Sequence, residues 1–148
     1  MNVPAGDAIR IGATTPPTTL TLQGGLAAAG APALIASNVG GHIVCNTSGA
    51  WTITGGSGTT DARAGIVTGL ASGTGNITAI GSAISITGGS GTSPGLNYAG
   101  LFTGLASGSG NIDVTATSVS LTGGSSTGTN YARIATPAGG GTITLNTS

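Results

Sequence analysis

The chain contains neither lysine nor glutamate. Its formal charges are confined to Arg10, Arg63, Arg133, Asp7, Asp61 and Asp113, and they cancel. Without a basic patch there is no footprint for phosphate contacts, so nucleic-acid binding is not expected. The same deficit removes attraction to anionic lipid surfaces. Neutrality also leaves little repulsion between copies, which favours association. Cys45 is the only cysteine, so an intramolecular disulfide and a thiolate metal cluster are both excluded. Its place two residues after Ile43, in the inward phase of a strand, reads as a small buried hydrophobe.

Other shortages narrow the field further. Aromatic residues make up 3% of the chain, which suits a narrow interior filled by stacked aliphatic side chains. No apolar run approaches the ~18 residues of a membrane span, and the longest stretch, Leu26 to Ala36, is broken by Gly30 and Pro32. Membrane insertion is therefore not expected. The segment Met1 to Asp7 lacks the charged and apolar regions of a secretory signal. An extracellular or surface location would require a removed signal or another route out of the cell. Helix is disfavoured by 30 glycines, with one short exception at Leu26-Ala27-Ala28-Ala29.

What is present is a repeat. Ile9, Ile43, Ile77, Ile112 and Ile143 recur at spacings of 34, 34, 35 and 31 residues. The phrase Gly-Asn-Ile at 75–77 returns at 110–112. A second column, Leu22, Ile53, Ile86 and Leu121, is followed each time by a glycine pair: Gly24-Gly25, Gly55-Gly56, Gly88-Gly89 and Gly123-Gly124. Those pairs are expected to turn the chain at positive φ. A third column reads Leu34, Ile66, Leu101 and Ile134. Ile43-Val44-Cys45, Ile77-Thr78-Ala79 and Ile112-Asp113-Val114 alternate apolar and variable residues, the period of a strand with one buried face. The prolines all fall between such segments.

Units of this size cannot bury an apolar face alone and must stack on their neighbours. The expected fold is all-β: one parallel β-helix or solenoid domain over residues 1–148, with three short strands per coil. Its units run approximately 9–42, 43–76, 77–111 and 112–141, with a partial fifth at 142–148. Right-handed coiling is the default for parallel crossovers. An antiparallel sandwich accounts for the alternation but gives no reason for the repeat.

Catalytic chemistry finds little to work with. Asp7, Asp61 and Asp113 occupy three different repeat positions, and a single histidine, His42, cannot make a histidine metal cluster. No Gly-x-Ser-x-Gly elbow sits between a strand and a helix. No catalytic, cofactor-binding or metal-binding residues are expected, and the chain reads as non-enzymatic. Gly55-Gly56-Ser57-Gly58-Thr59-Thr60-Asp61 approaches a calcium-binding nonapeptide, but its aspartate comes one residue late and does not recur. Glycosylation triplets at Asn46, Asn76 and Asn146 are what a Thr- and Ser-rich chain generates by chance. The sharper feature is an outward hydroxyl face formed by Thr52, Thr54, Ser85, Thr87, Ser120 and Thr122. Such arrays resemble the ice-binding face of β-solenoid antifreeze proteins, and Thr and Ser are also the ordinary choice for exposed strand positions.

The recurring Gly-Asn-Ile and Ile-Thr-Gly-Gly phrases resemble the repeats of filamentous-haemagglutinin-type adhesins and autotransporter passengers, over roughly residues 7–148. That resemblance implies a non-enzymatic bacterial surface or secreted β-helix, used for adhesion or as a stalk, with host-cell or surface glycans as partners. Those proteins are much longer, which sets two readings side by side: a fragment of a long adhesin, or a subunit that stacks on copies of itself. A phage tail fibre or spike is a third. The stacking reading rests on the two ends, where Ile9, Arg10 and Ile11 and, at the other, Ile143, Thr144 and Leu145 form equivalent strands with no recognisable cap. It expects a head-to-tail homopolymer with an axial rise of about four rungs, on the order of 20 Å.

Overall fold

The computed structural model describes residues 9–12, 14–26, 30–91, 96–125, 129–136 and 140–147. Thirteen strands follow one another among them, with no helix. The expected helical exception at 26–29 lies outside the described residues apart from Leu26, which is not helical. Each coil contributes one strand to each of three sheets. The first sheet stacks β1 (Ile9–Ile11), β4 (Ile43–Asn46), β7 (Ile77–Ile80), β10 (Ile112–Ala116) and β13 (Ile143–Thr147). The second holds β2 (Leu20–Gln23), β5 (Trp51–Thr54), β8 (Ala83–Thr87) and β11 (Ser118–Thr122). The third holds β3 (Ala33–Ser37), β6 (Ala64–Thr68), β9 (Ala99–Thr103) and β12 (Ala132–Ala135). Every pairing is parallel. The protein is a β-solenoid of about four turns.

The register follows the apolar columns because a one-residue slip would turn every inward side chain to solvent. Ile9, Ile43, Ile77, Ile112 and Ile143 are successive partners in one interior column. Leu22, Ile53, Ile86 and Leu121 form the second. The third column differs from expectation in its first coil: Ile35, not Leu34, is the partner of Ile66. Leu34 lies opposite Gly65 and faces outward. The spacing from the glycine pairs agrees with the pleat: Ile35, Ile66 and Ile134 each follow Gly25, Gly56 and Gly124 by ten residues.

The glycine pairs also work differently from expectation. None of them among the described residues takes positive φ. Six of the eight are required instead because neighbouring coils touch there, Gly25 meeting only its own coil and Gly123 nothing: a Cβ on Gly56 would sit 2.1 Å from the Gly25 carbonyl oxygen, and one on Gly89 would sit 2.1 Å from that of Gly56. Positive φ is used elsewhere, at Gly69 and Gly104 in the Gly-Leu-Ala-Ser-Gly phrases. There the chain doubles back and lays Leu70 and Leu105 over the outside of the third sheet.

That return explains why β6 and β9 are buried at every position while β4, β5 and β7 alternate. A second apolar cluster of Val67, Tyr98, Phe102 and Ala135 covers the outer face of the third sheet. The rings therefore distribute unevenly. Tyr98 meets Phe102 edge-on at 5.1 Å and stacks on Tyr131 at 5.0 Å, both outside the solenoid. Trp51 alone enters the interior, which is less restricted to aliphatics than the composition implies. Gly81 on the next coil leaves room for the indole, and Nε1 donates to Thr47 Oγ1 at 2.7 Å.

Two outcomes follow from this core. Ile77 is fully buried between Ile43 and Ile112, so Ile77→Asp places an unpaired carboxylate among aliphatics at a cost on the order of 5 kcal/mol, comparable to the stability of a small domain. Ile77→Val should cost only about 1 kcal/mol. Urea titration of both variants checks the contrast, and a folded, cooperative Ile77→Asp protein would be incompatible with this column.

Burial raises the Cys45 thiol from 9.0 to about 11. The folded state thus holds its proton more tightly than the unfolded chain, and the stability contributed is complete below pH 9 and lost as the pH rises towards 11. Burial and the neighbouring Tyr98 raise Tyr131 in the same direction, so the thiol's share must be isolated by difference. Relative to Cys45→Ala, the native chain should lose about 2 kcal/mol between pH 8 and pH 10.5. A stability difference that stays constant across that range would show that Cys45 is not sequestered.

Candidate functional site

Three surfaces can meet a partner: the outer face of the second sheet, the outer face of the first, and the ends of the solenoid. On the second sheet the strand alternation points one hydroxyl-bearing column outward as Thr21, Thr52, Ser85 and Ser120. The next outward column is Gln23, Thr54, Thr87 and Thr122. The expected hydroxyl residues are therefore in register. Thr21 and Gln23, which belong to the same Leu-x-Leu-x pattern one coil earlier, extend the columns. Gln23 and the paired serines make the array chemically mixed.

Beside this face runs an open groove of about 420 Å³. The glycine pairs supply its backbone walls, Ser57 and Ser90 its hydroxyls, and Leu26, 70% exposed, its apolar margin. Its lining carries no charged group among the described residues, so it offers hydrogen bonds and shape but no electrostatic anchor.

At the corner leading into the first sheet, the repeated Gly-Asn-Ile phrase has a function beyond marking register. Asn76 Oδ1 accepts from the Asn111 backbone N–H at 2.9 Å, and Asn111 Oδ1 accepts from Thr142 N–H at 2.9 Å. His42 takes the same place one coil earlier, its Nδ1 accepting from Asn76 N–H at 3.1 Å. Each side chain thereby caps a backbone donor of the following coil. This column was legible as a repeat, but its capping role appears only once the rungs are superposed.

The scattered carboxylates stay apart. Asp61 holds Arg63 by two bonds of 2.6 Å, and Arg63 also donates to the Tyr98 hydroxyl at 3.0 Å. The guanidinium lies 5.6 Å from the Tyr98 ring centre, prolonging the Tyr98–Tyr131 stack. Burial works against the Arg63 charge, and its bonds to Asp61 and Tyr98 more than offset that effect, leaving it above its ordinary value. Asp61 is thus engaged by Arg63 in the loop that approaches a calcium nonapeptide. Asp113 stands on the outer face of β10, and Asp7 lies outside the described residues. Among the described residues no three His, Cys, Asp or Glu side chains come together as a metal site.

The strands named for assembly occupy opposite edges of the first sheet. Ile9, Arg10 and Ile11 form β1, and Ile143, Thr144 and Leu145 lie on β13. At the β13 end the interior columns come into the open: Ile143 is 41% exposed, Leu145 54% and Leu121 49%. At the other end Ile9, Ile11, Leu20 and Leu22 are only partly covered. The fold leaves β1 and β13 each with one unpaired edge among the described residues.

Comparison with protein-family models, with curated proteins and with solved structures finds no match to this chain.

Proposed function

We infer that this chain is a non-enzymatic, extracellular structural β-solenoid whose copies join end to end into a fibre. The observation that supports the reading is the opening of the interior columns at the β13 end, where Leu121, Ile143 and Leu145 are 41–54% exposed while Ile77 and Ile112 are fully buried. An in-register strand laid on β13 would satisfy its backbone groups and cover Ile143 and Leu145 together. The β1 edge of another copy carries the matching residues, Ile9 and Ile11 in the same two columns. Because the two ends differ, the contact is heterologous and propagates instead of closing. The adhesin-like repeat phrases support the surface location, and glycans are the further partner class that this resemblance implies.

The strand count refines the expected geometry. The first sheet has five strands and the other two have four. Laying β1 of one copy on β13 of the next therefore gives five rungs per subunit along that sheet, about 24 Å by the rung spacing, instead of the four rungs expected from the repeat. The two four-stranded sheets are each one rung short at the junction. Electron microscopy of the purified 148-residue chain tests this. Filaments with an axial rise near 24 Å are the expected result, and Leu145→Lys, which places a charge on the joining edge, should shorten or abolish them. A monodisperse monomer at high concentration would overturn the fibre reading and leave the open edges to further coils of a longer adhesin.

A further inference from the structure

The geometry points to a second, lateral contact: the outer face of the first sheet is a self-complementary surface on which two copies pair with their solenoid axes antiparallel. This proposal does not depend on end-to-end joining, because it uses the side of the solenoid and none of the edge strands' free backbone groups.

The outward column of that sheet reads Arg10, Val44, Thr78, Asp113 and Thr144 in successive rungs. Beside it run Asn46, Ile80 and Thr115. The face thus has a partly exposed aliphatic centre, Val44 and Ile80, with a cation at one end and an anion three rungs away. Arg10 and Asp113 form no ion pair within the described residues, whereas Asp61 and Arg63 neutralise each other. In a chain so poor in charge, opposite charges in one outward column are the distinguishing feature of this face. The second sheet presents uncharged side chains, and the third is largely covered by leucines and tyrosines, with Arg133 on β12 its exposed charge among the described residues.

Symmetry decides how two such faces meet. A two-fold axis parallel to the solenoid would oppose Arg10 to Arg10 and Asp113 to Asp113. A two-fold axis along the strand direction reverses the rungs but keeps each column opposite itself. Its midpoint falls between the second and third rungs, so Arg10 faces the partner's Asp113 and the reverse contact is identical. Val44 then faces the partner's Thr78. Both ion pairs form across the ~10 Å separation of packed sheets, and the interface is isologous. The face is only about 15 Å by 13 Å from rung and residue spacings, far below the ~800 Å² per partner of a standard interface. A single pair is consequently weak and transient, and covalent crosslinking is needed to trap it.

Mixed-variant crosslinking tests the arrangement. Val44→Cys and Thr78→Cys proteins, each with native circular dichroism, are treated alone and together with a short bis-maleimide, because facing sheets about 10 Å apart are too distant for a direct disulfide, with buried Cys45 silent in the folded state. The proposal expects the 44–78 crosslinked dimer to form faster in the mixture than the 44–44 or 78–78 dimer of either protein alone. Adding Arg10→Asp to both proteins should slow its formation at least about tenfold through like-charge opposition. Adding Arg10→Asp and Asp113→Arg together should restore it. Predominant 44–44 and 78–78 dimers, equal crosslinking in all combinations, or no rescue by the double reversal would each overturn the proposal. These reagents probe the side of the solenoid, so the result stands whether or not filaments form.

Discussion

Every coil of this protein must fit a copy of itself one rung away. Parallel pairing in register sets neighbouring strands about 4.8 Å apart, so each side chain lies directly over the equivalent residue of the next coil. A residue type succeeds at a given position only if it tolerates its own kind as neighbour. Isoleucine and leucine do so inside, where burial of each large side chain contributes roughly 1.5–3 kcal/mol. Glycine does so at the corners where carbonyl oxygens would meet a Cβ at 2.1 Å. Asparagine does so at 76 and 111 because its amide oxygen reaches the backbone donor of the following coil. Charges repeated in a column would repel, which accords with their scarcity.

The same constraint explains which structural features could be read from the residues. Position in the repeat identifies the interior columns, since an aliphatic at a fixed interval within an alternating strand has one place to go. It also located β1, β4, β7, β10 and β13 and the outward hydroxyls of β5, β8 and β11. The choice of Leu34 over Ile35 was mistaken although the count from the glycine pairs favours Ile35, which follows Gly25 by ten residues as Ile66 follows Gly56 and Ile134 follows Gly124. Position in the repeat failed for the glycine pairs, whose role depends on what the adjacent coil brings near them.

The third sheet illustrates a different limit. Alternation predicts one wet face, yet Val67 and Phe102 are buried on the outside because Leu70, Leu105 and Tyr98 return over them. The Gly-Leu-Ala-Ser-Gly phrases were visible as coil endings, but where their leucines land is a tertiary matter. The Arg63–Tyr98–Tyr131 stack was harder to see: Tyr98 and Tyr131 recur in the phrase Asn-Tyr-Ala, but Arg63 holds that place one coil earlier with a different residue type. On the first sheet, by contrast, the Arg10 and Asp113 positions were legible as the variable middle of the strand. Their common outward column gives those isolated charges a geometrical relation.

The account depends on parallel, in-register stacking, and methyl-resolved NMR of isoleucine-labelled protein tests that most directly. Ile77 should show nuclear Overhauser contacts to both Ile43 and Ile112, and Ile53 should show one to Ile86, as their register requires. Strong Hα–Hα contacts between strands adjacent in sequence, with no Ile43–Ile77–Ile112 chain of methyl contacts, would instead identify an antiparallel sandwich and contradict the solenoid.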